Sequence, residues 1–220
     1  MPRPHPIITL FLLVGLTSAS LAHAAGTVQV VMKDDKGQPV ADAVASLTLL
    51  DGPPPAVVPP AEPVVILQQN EEFSPYVTPL VVGTRVSFPN HDKVQHHVYS
   101  LSKAKKFELP LYSGEPRELV TFDQPGVVAL GCNIHDWMSA YVVVLTTPYF
   151  EKTGAAGTAS LAGLPAGRYR LEVWHPRLAA TVTREVVIAA SDDATQVISV
   201  TLKPDRRIRR APDASGGGYK

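Results

Sequence analysis

A cysteine, a histidine and a methionine follow one another at three-residue intervals in the stretch "LGCNIHDWMSA", residues 130–140. Cys132 is the only cysteine of the 220-residue chain, and His135 and Met138 come soon after it. A thiolate with two imidazoles and a weak axial thioether is a donor set typical of electron-transfer copper. Three of the four donors are present here. The spacing therefore predicts a metal site whose second histidine comes from elsewhere in the chain.

The loop after the cysteine is what would bring these three donors together. Alternation places Val128, Leu130 and Cys132 on one face of a strand, and strand character resumes at Ala140. In a continuous strand, residues three apart point to opposite faces. A tight loop over residues 133–139 removes this restriction, so the three side chains can turn towards one point.

The stretch "FPNHDKVQHHVYS" contains three candidates for the second histidine ligand, His91, His96 and His97. Alternation puts His96 on the same side as the valines at positions 94 and 98, and His97 on the other side. If the valine side faces the core, His96 points inward. We therefore predict His96 as the ligand and keep His97 as the alternative.

Two polar residues of the same stretch, Asn90 and Asp92, are candidates for orienting the histidine rings by hydrogen bonds. The sequence Asn-His-Asp suits a chain bend equally well, because both side chains bond readily to nearby backbone. Both interpretations stay open at this point.

Short β-rich runs separated by Gly and Pro make up the rest of the chain, with no long amphipathic helix. Examples are "VVILQQ", "HHVYSL" and "GRYRLEVW". A Pro-rich connector over residues 51–63 marks a boundary. This pattern predicts an all-β chain of antiparallel sandwiches.

The motifs "VSFPNHD", "QHHV" and "GC-x-x-H-x-x-M-x-A-Y" resemble those of the cupredoxins, or blue copper proteins. The two-residue spacings are most similar to amicyanin. The broader pattern resembles exported plastocyanin-like proteins labelled methylamine utilisation proteins. The resemblance implies a cupredoxin Greek-key β-sandwich over residues 64–147. It also implies one type 1 copper ion held by His96, Cys132, His135 and Met138.

The resemblance further implies that His135, as the downstream histidine, serves as the electron port near the surface. Trp137 then either lines a docking patch or covers the metal as a hydrophobic lid. The chain departs from the family at His97, where Asn is usual, and at "DW", where amicyanin-like loops carry Pro.

The flanks of this domain, "VQVVMKDDKGQPVADAVASL" and "GTASLAGLPAGRYRLEVWHP", resemble carboxypeptidase-regulatory or transthyretin-like β-sandwiches. We expect residues 26–50 and 150–203 to form one Ig-like sandwich, split by the inserted cupredoxin domain. The alternative is that the first hairpin extends the cupredoxin sheet and the C-terminal strands stand alone.

Residues 1–24 have the layout of a cleaved signal peptide, which predicts export to the periplasm and no transmembrane segment in the mature chain. Residues 204–220 form a basic tail that we expect to be disordered. Equal numbers of acidic and basic residues, 20 each, give no reason to expect nucleic acid as a partner.

These observations predict a periplasmic one-electron carrier that is not an enzyme and whose redox partner is a dehydrogenase or a cytochrome. Two alternatives stay open: copper binding and delivery without a redox partner, and a metal-free interaction module. A thiol enzyme is disfavoured because the loop offers no anion-binding nest for an oxyanion. A dinuclear copper site would need a second cysteine, and zinc would not need methionine.

Overall fold

The computed structural model describes residues 25–116, 118–189 and 193–205. The predicted signal peptide and most of the predicted basic tail lie outside these ranges. Within them every regular element is a β-strand, which confirms the predicted all-β class. No helix long and apolar enough to cross a bilayer occurs in the described ranges.

The strands are numbered here in chain order. They are β1 (Gly26–Asp34), β2 (Val44–Leu49), β3 (Val64–Val65), β4 (Leu67–Gln69), β5 (Glu72–Ser74), β6 (Val77–Val81), β7 (Thr84–Ser87), β8 (His96–Ser102), β9 (Lys105–Tyr112), β10 (Val120–Phe122), β11 (Gly126–Cys132), β12 (Ser139–Leu145), β13 (Phe150–Lys152), β14 (Thr158–Leu164), β15 (Gly167–Trp174), β16 (Val182–Ile188) and β17 (Asp193–Val200).

Strands from the two ends of the described chain form one pair of sheets. One sheet has the order β14-β1-β17, with β1 antiparallel to β14 and parallel to β17. The other has the order β13-β2-β15-β16. Alternate residues of β1, namely Val28, Val30 and Met32, are fully buried in a core shared with β2, β14, β15, β16 and β17. These pairings support the split sandwich, and the domain boundaries stay a prediction.

The middle of the chain forms a second body around a five-stranded sheet of order β6-β12-β11-β8-β9. A three-stranded sheet, β10-β7-β3, and the hairpin β4-β5 accompany it. Their shared core includes Phe88, Val98, Phe122 and Val128, all without exposed surface. Burying each such side chain stabilises the fold by about 1.5–3 kcal/mol.

The central strand of this sheet, β11, ends at the cysteine. β11 is antiparallel to both neighbours: Leu130 lies opposite Ala140 of β12, and Cys132 lies opposite Val98 of β8. A Cβ on Gly131 would lie 3.0 Å from the ring of Tyr99, so glycine suits this close approach of side chain to backbone. Cys132 therefore ends its strand beside the first residues of β8.

The two bodies pack against each other through a small apolar cluster. Val44 comes from the first body, and Val77 and Val143 from the second; all three are buried. At its margin the ring of Tyr141 meets that of Trp174 at a centroid distance of 5.5 Å. The cluster links the sheet that carries the cysteine to the split pair of sheets.

Candidate metal centre

Three predicted ligands converge at the end of the five-stranded sheet. The Nδ1 atoms of His96 and His135 lie 3.1 Å apart. Cys132 Sγ lies 3.9 Å from the first of these nitrogens and 3.7 Å from the second. Among the described residues, these three side chains form a group whose ligand atoms lie close enough together to hold a metal ion.

The size of this triangle suits one metal ion. The point equidistant from three atoms at these separations lies about 2.1 Å from each, close to the roughly 2.0–2.3 Å that imidazole nitrogen and thiolate sulfur adopt around zinc. The donors themselves, thiolate and imidazole, are those that soft and borderline transition metals prefer. The residues therefore fit a mononuclear transition-metal site.

His96 begins β8 and is fully buried. Its Nε2 lies 2.8 Å from Asp92 Oδ2. In the neutral imidazole the proton therefore lies on Nε2 and is donated to the carboxylate, which leaves the lone pair of Nδ1 facing the other predicted ligands. In the protonated imidazolium, Nδ1 also carries a proton and can donate to Cys132 Sγ. Burial alone would lower the pKa of His96, but hydrogen bonds and charge interactions with Cys132 and Asp92 outweigh it and raise this pKa.

Asp92 is fixed in turn by a distant hairpin. Its Oδ1 accepts a hydrogen bond of 2.7 Å from the backbone N–H of Asn70, and its Oδ2 one of 2.9 Å from that of Glu71. Both hairpin residues have a φ of 57°, a conformation typical of the two central residues of a tight hairpin turn. Burial would raise the pKa of Asp92, but the hydrogen bonds from Glu71, His96 and Asn70 lower it. The carboxylate therefore stays ionised beside the histidine.

Asn90, the other residue expected beside the site, makes bend contacts. Its Nδ2 donates to the backbone oxygens of Val94 and Tyr112, both at 2.9 Å. Its Oδ1 accepts from the backbone N–H of Asp92, also at 2.9 Å. Asn90 thus shapes the bend that presents Asp92, and Asp92 is the residue that contacts a predicted ligand.

The thiol of Cys132 is 3% exposed and strongly hydrogen-bonded. Burial would raise its pKa. Hydrogen bonds from His96, from the backbone N–H groups of His97 and Ile134, and from His135 outweigh this and lower the pKa to about 6. A thiolate at neutral pH is the form that binds metal.

The ligand loop closes by a turn in which Met138 N–H donates to His135 O at 3.0 Å. Met138 is 1% exposed and belongs to the same apolar core as Cys132. His135 is half-buried, as is Trp137, whose ring lies 5.2 Å from the imidazole and packs against the core. The loop thus buries Met138 and leaves His135 partly exposed to solvent.

His97 points away from the other ligands. Its Nε2 lies 3.0 Å from Glu108 Oε1, at ion-pair distance but without hydrogen-bond geometry, and its ring faces Tyr99 at 5.9 Å. The structure therefore brings His96, and not His97, to Cys132.

The sequence interpretation missed two contributors. One is the Asn70–Glu71 hairpin, for which the run "QQNEE" was the available signal. The other is Tyr112, opposite His96 in the β8–β9 ladder. Its hydroxyl accepts from Gln68 Nε2 at 2.6 Å and donates to Phe88 O, and burial raises its pKa to about 12. Nothing in the alternation of β9 distinguishes this tyrosine from a core residue.

No family model matches the chain, and no curated protein matches it. Among solved structures it is similar to a purple cupredoxin from Nitrosopumilus maritimus, with 26% identity, a TM-score of 0.33, and coverage of 37% of this chain and 99% of that one. A reduced amicyanin variant matches with 22% identity, a TM-score of 0.35, and coverage of 46% and 99%. A copper-containing nitrite reductase from Thermus scotoductus matches with 25% identity, a TM-score of 0.37, and coverage of 53% and 28%.

Proposed function

We propose that this protein is a periplasmic type 1 copper protein that carries single electrons between redox partners. One observation supports this most: the Nδ1 atoms of two histidines and the Sγ of one cysteine surround a point about 2.1 Å from each. His96, Cys132 and His135 are the proposed equatorial ligands, and Met138 is the proposed weak axial ligand. Bound copper would supply the electron by changing between its cuprous and cupric states.

The protein's contribution is to hold these donors in place. Cys132 ends a central strand, and His96 is fixed between the core and the carboxylate of Asp92. A copper shuttle works best when its ligands move little between oxidation states, and a strand-anchored site limits such movement. The half-buried His135 is the proposed exit for the electron, since the other ligands are buried.

The predicted signal peptide supports the proposed compartment. The predicted signal peptide would place the chain outside the cytoplasm, where a lone thiol without a disulfide partner is exposed to oxidation. A metal bound to Cys132 would protect that thiolate. The proposed partner is a second redox protein, a dehydrogenase or a cytochrome. The protein itself is proposed to catalyse no reaction.

The test is the visible spectrum of the mature protein loaded with Cu(II). We expect an intense thiolate-to-copper absorption band that disappears in Cys132→Ser. A colourless protein that still binds Cu(I) would indicate copper delivery instead. A protein that binds neither ion would leave the metal-free interaction module.

A further inference from the structure

A cavity of about 610 Å³ lies at the junction between the two bodies, directly beside the ligand loop. Binding pockets for small molecules have volumes of roughly 300–1,000 Å³ and form preferentially between domains. We propose that this junction cavity binds a small aromatic carboxylate. The proposal concerns a site separate from the metal ligands, and it stands whether or not copper is bound.

One wall of the junction cavity is aromatic. Tyr76, Trp137 and Tyr141 line it, and all three are half-buried. The rings of Tyr76 and Tyr141 lie edge to face at 5.6 Å, which holds both in fixed orientations. Aromatic pairs of this kind stabilise beyond their buried area, so a flat aromatic ligand has suitable surfaces to contact.

The opposite wall carries two cations from the split body. Arg177 is half-buried and held at both ends: its backbone N–H donates to His175 Nδ1 at 3.2 Å, and its Nε donates to Lys203 O at 2.6 Å. Among the described residues, no carboxylate lies within ion-pair distance of Arg177 or Lys203. A guanidinium anchored through Nε keeps its terminal N–H groups for a carboxylate, the geometry that Arg prefers.

Two acidic residues limit the charge of the ligand. Asp136 lines the junction cavity from the ligand loop, and Asp205, which is engaged in a contact of its own, lines it from the segment that also carries Lys203. Asp136 disfavours a ligand with a second negative charge, and the guanidinium of Arg177, held through its Nε, favours a carboxylate over an amine. In a ligand with one carboxylate on an aromatic ring, the ring can contact the aromatic wall and the carboxylate can bind the cations.

The experiment uses three probes with the same ring and different charge: naphthoate, naphthylmethanol and naphthylmethylamine. Their affinities for the full-length protein are measured by isothermal titration calorimetry. We expect naphthoate to bind roughly tenfold or more tightly than the alcohol, since hydrogen bonds to charged groups are the stronger kind. The amine should bind most weakly.

Two variants test the contributions of the cationic wall and the aromatic wall to binding separately. Lys203→Gln should weaken naphthoate binding alone, while Tyr76→Leu should weaken naphthoate and the alcohol together. Lys103→Gln, an exposed lysine in the turn between β8 and β9, is the matched control and should change nothing. Absence of naphthoate binding, equal binding of the acid and the alcohol, or unchanged binding in Lys203→Gln would each overturn the proposal.

Discussion

Asp92 Oδ2 lies 2.8 Å from His96 Nε2, on the side of the imidazole away from Cys132. The same oxygen accepts from the backbone of Glu71, so the carboxylate cannot turn without losing both contacts. The neutral imidazole of His96 is thereby held in the tautomer whose Nδ1 lone pair faces the other predicted ligands.

Asp92→Asn should lower the affinity for copper by about 10–100-fold, the usual effect of removing a partner that orients a metal-binding histidine. The amide has only one acceptor oxygen, so its NH₂ group would face an N–H donor of either the hairpin or the imidazole. Competition with a chelator of known affinity measures the change. Asp123→Asn, which alters an exposed carboxylate 3.5 Å from Lys105, is the matched control. Equal affinities in both variants would contradict the orienting role.

Replacement of Met138 by Leu tests the axial position. The swap nearly conserves volume in the core, so the free energy of unfolding should fall by less than about 1.5 kcal/mol. Copper should stay bound, because three ligands remain. The reduction potential should rise because loss of the axial donor lowers the coordination number, which disfavours the cupric state more than the cuprous state. Voltammetry of the loaded variant measures this. An unchanged potential would show that the thioether does not contact the metal.

Copper affinity should depend on pH in a defined direction. Metal competes with protons for Cys132, whose pKa is about 6, and for His96, whose pKa is raised. Both groups must lose their protons to bind, so affinity should fall as pH is lowered from about 8 to about 5, more steeply below about 6 where the thiol becomes protonated. Titrations across this range should show more protons released per metal at the acid end. Constant affinity and constant proton release would contradict the assignment of these two ligands.

Trp137→Ala should slow electron self-exchange between copies of the loaded protein without abolishing copper binding. Its ring lies beside the half-buried edge of His135, where a second molecule would approach. Truncating a central aromatic residue of an interface costs about 2 kcal/mol or more, which corresponds to roughly thirtyfold or more in exchange rate. NMR line broadening in mixtures of the two oxidation states measures the rate. Trp137→Phe keeps a ring against His135 and serves as the control. Equal exchange in Trp137→Ala and the unaltered protein would remove the docking role and leave that of a lid.

The alternation of residues along the strands was enough to predict which side chains come together at the site. Alternation along β8 selected His96 over His97, because each residue of a strand faces one side only. The interruption of strand character after Cys132 predicted a loop in which His135 can turn back. The structure places the three side chains together as these patterns predict, and whether they hold a metal stays a prediction until copper is added.

Contacts between distant parts of the chain were beyond local pattern. The support of Asp92 by Asn70 and Glu71 depends on a hairpin more than twenty residues away. The run "VVILQQ" is divided at Ile66 between β3 and β4, which join different sheets. The parallel pairing of β1 with β17 joins opposite ends of the described chain. Alternation shows which face of a strand is buried, and it does not identify the partner strand.

The central claim, that the site passes single electrons, is tested most directly by a redox titration of the copper-loaded protein followed by its visible band. We expect one electron per copper to bleach the band and reoxidation to restore it fully over repeated cycles. Copper that is released on reduction, or a band that does not return, would contradict it.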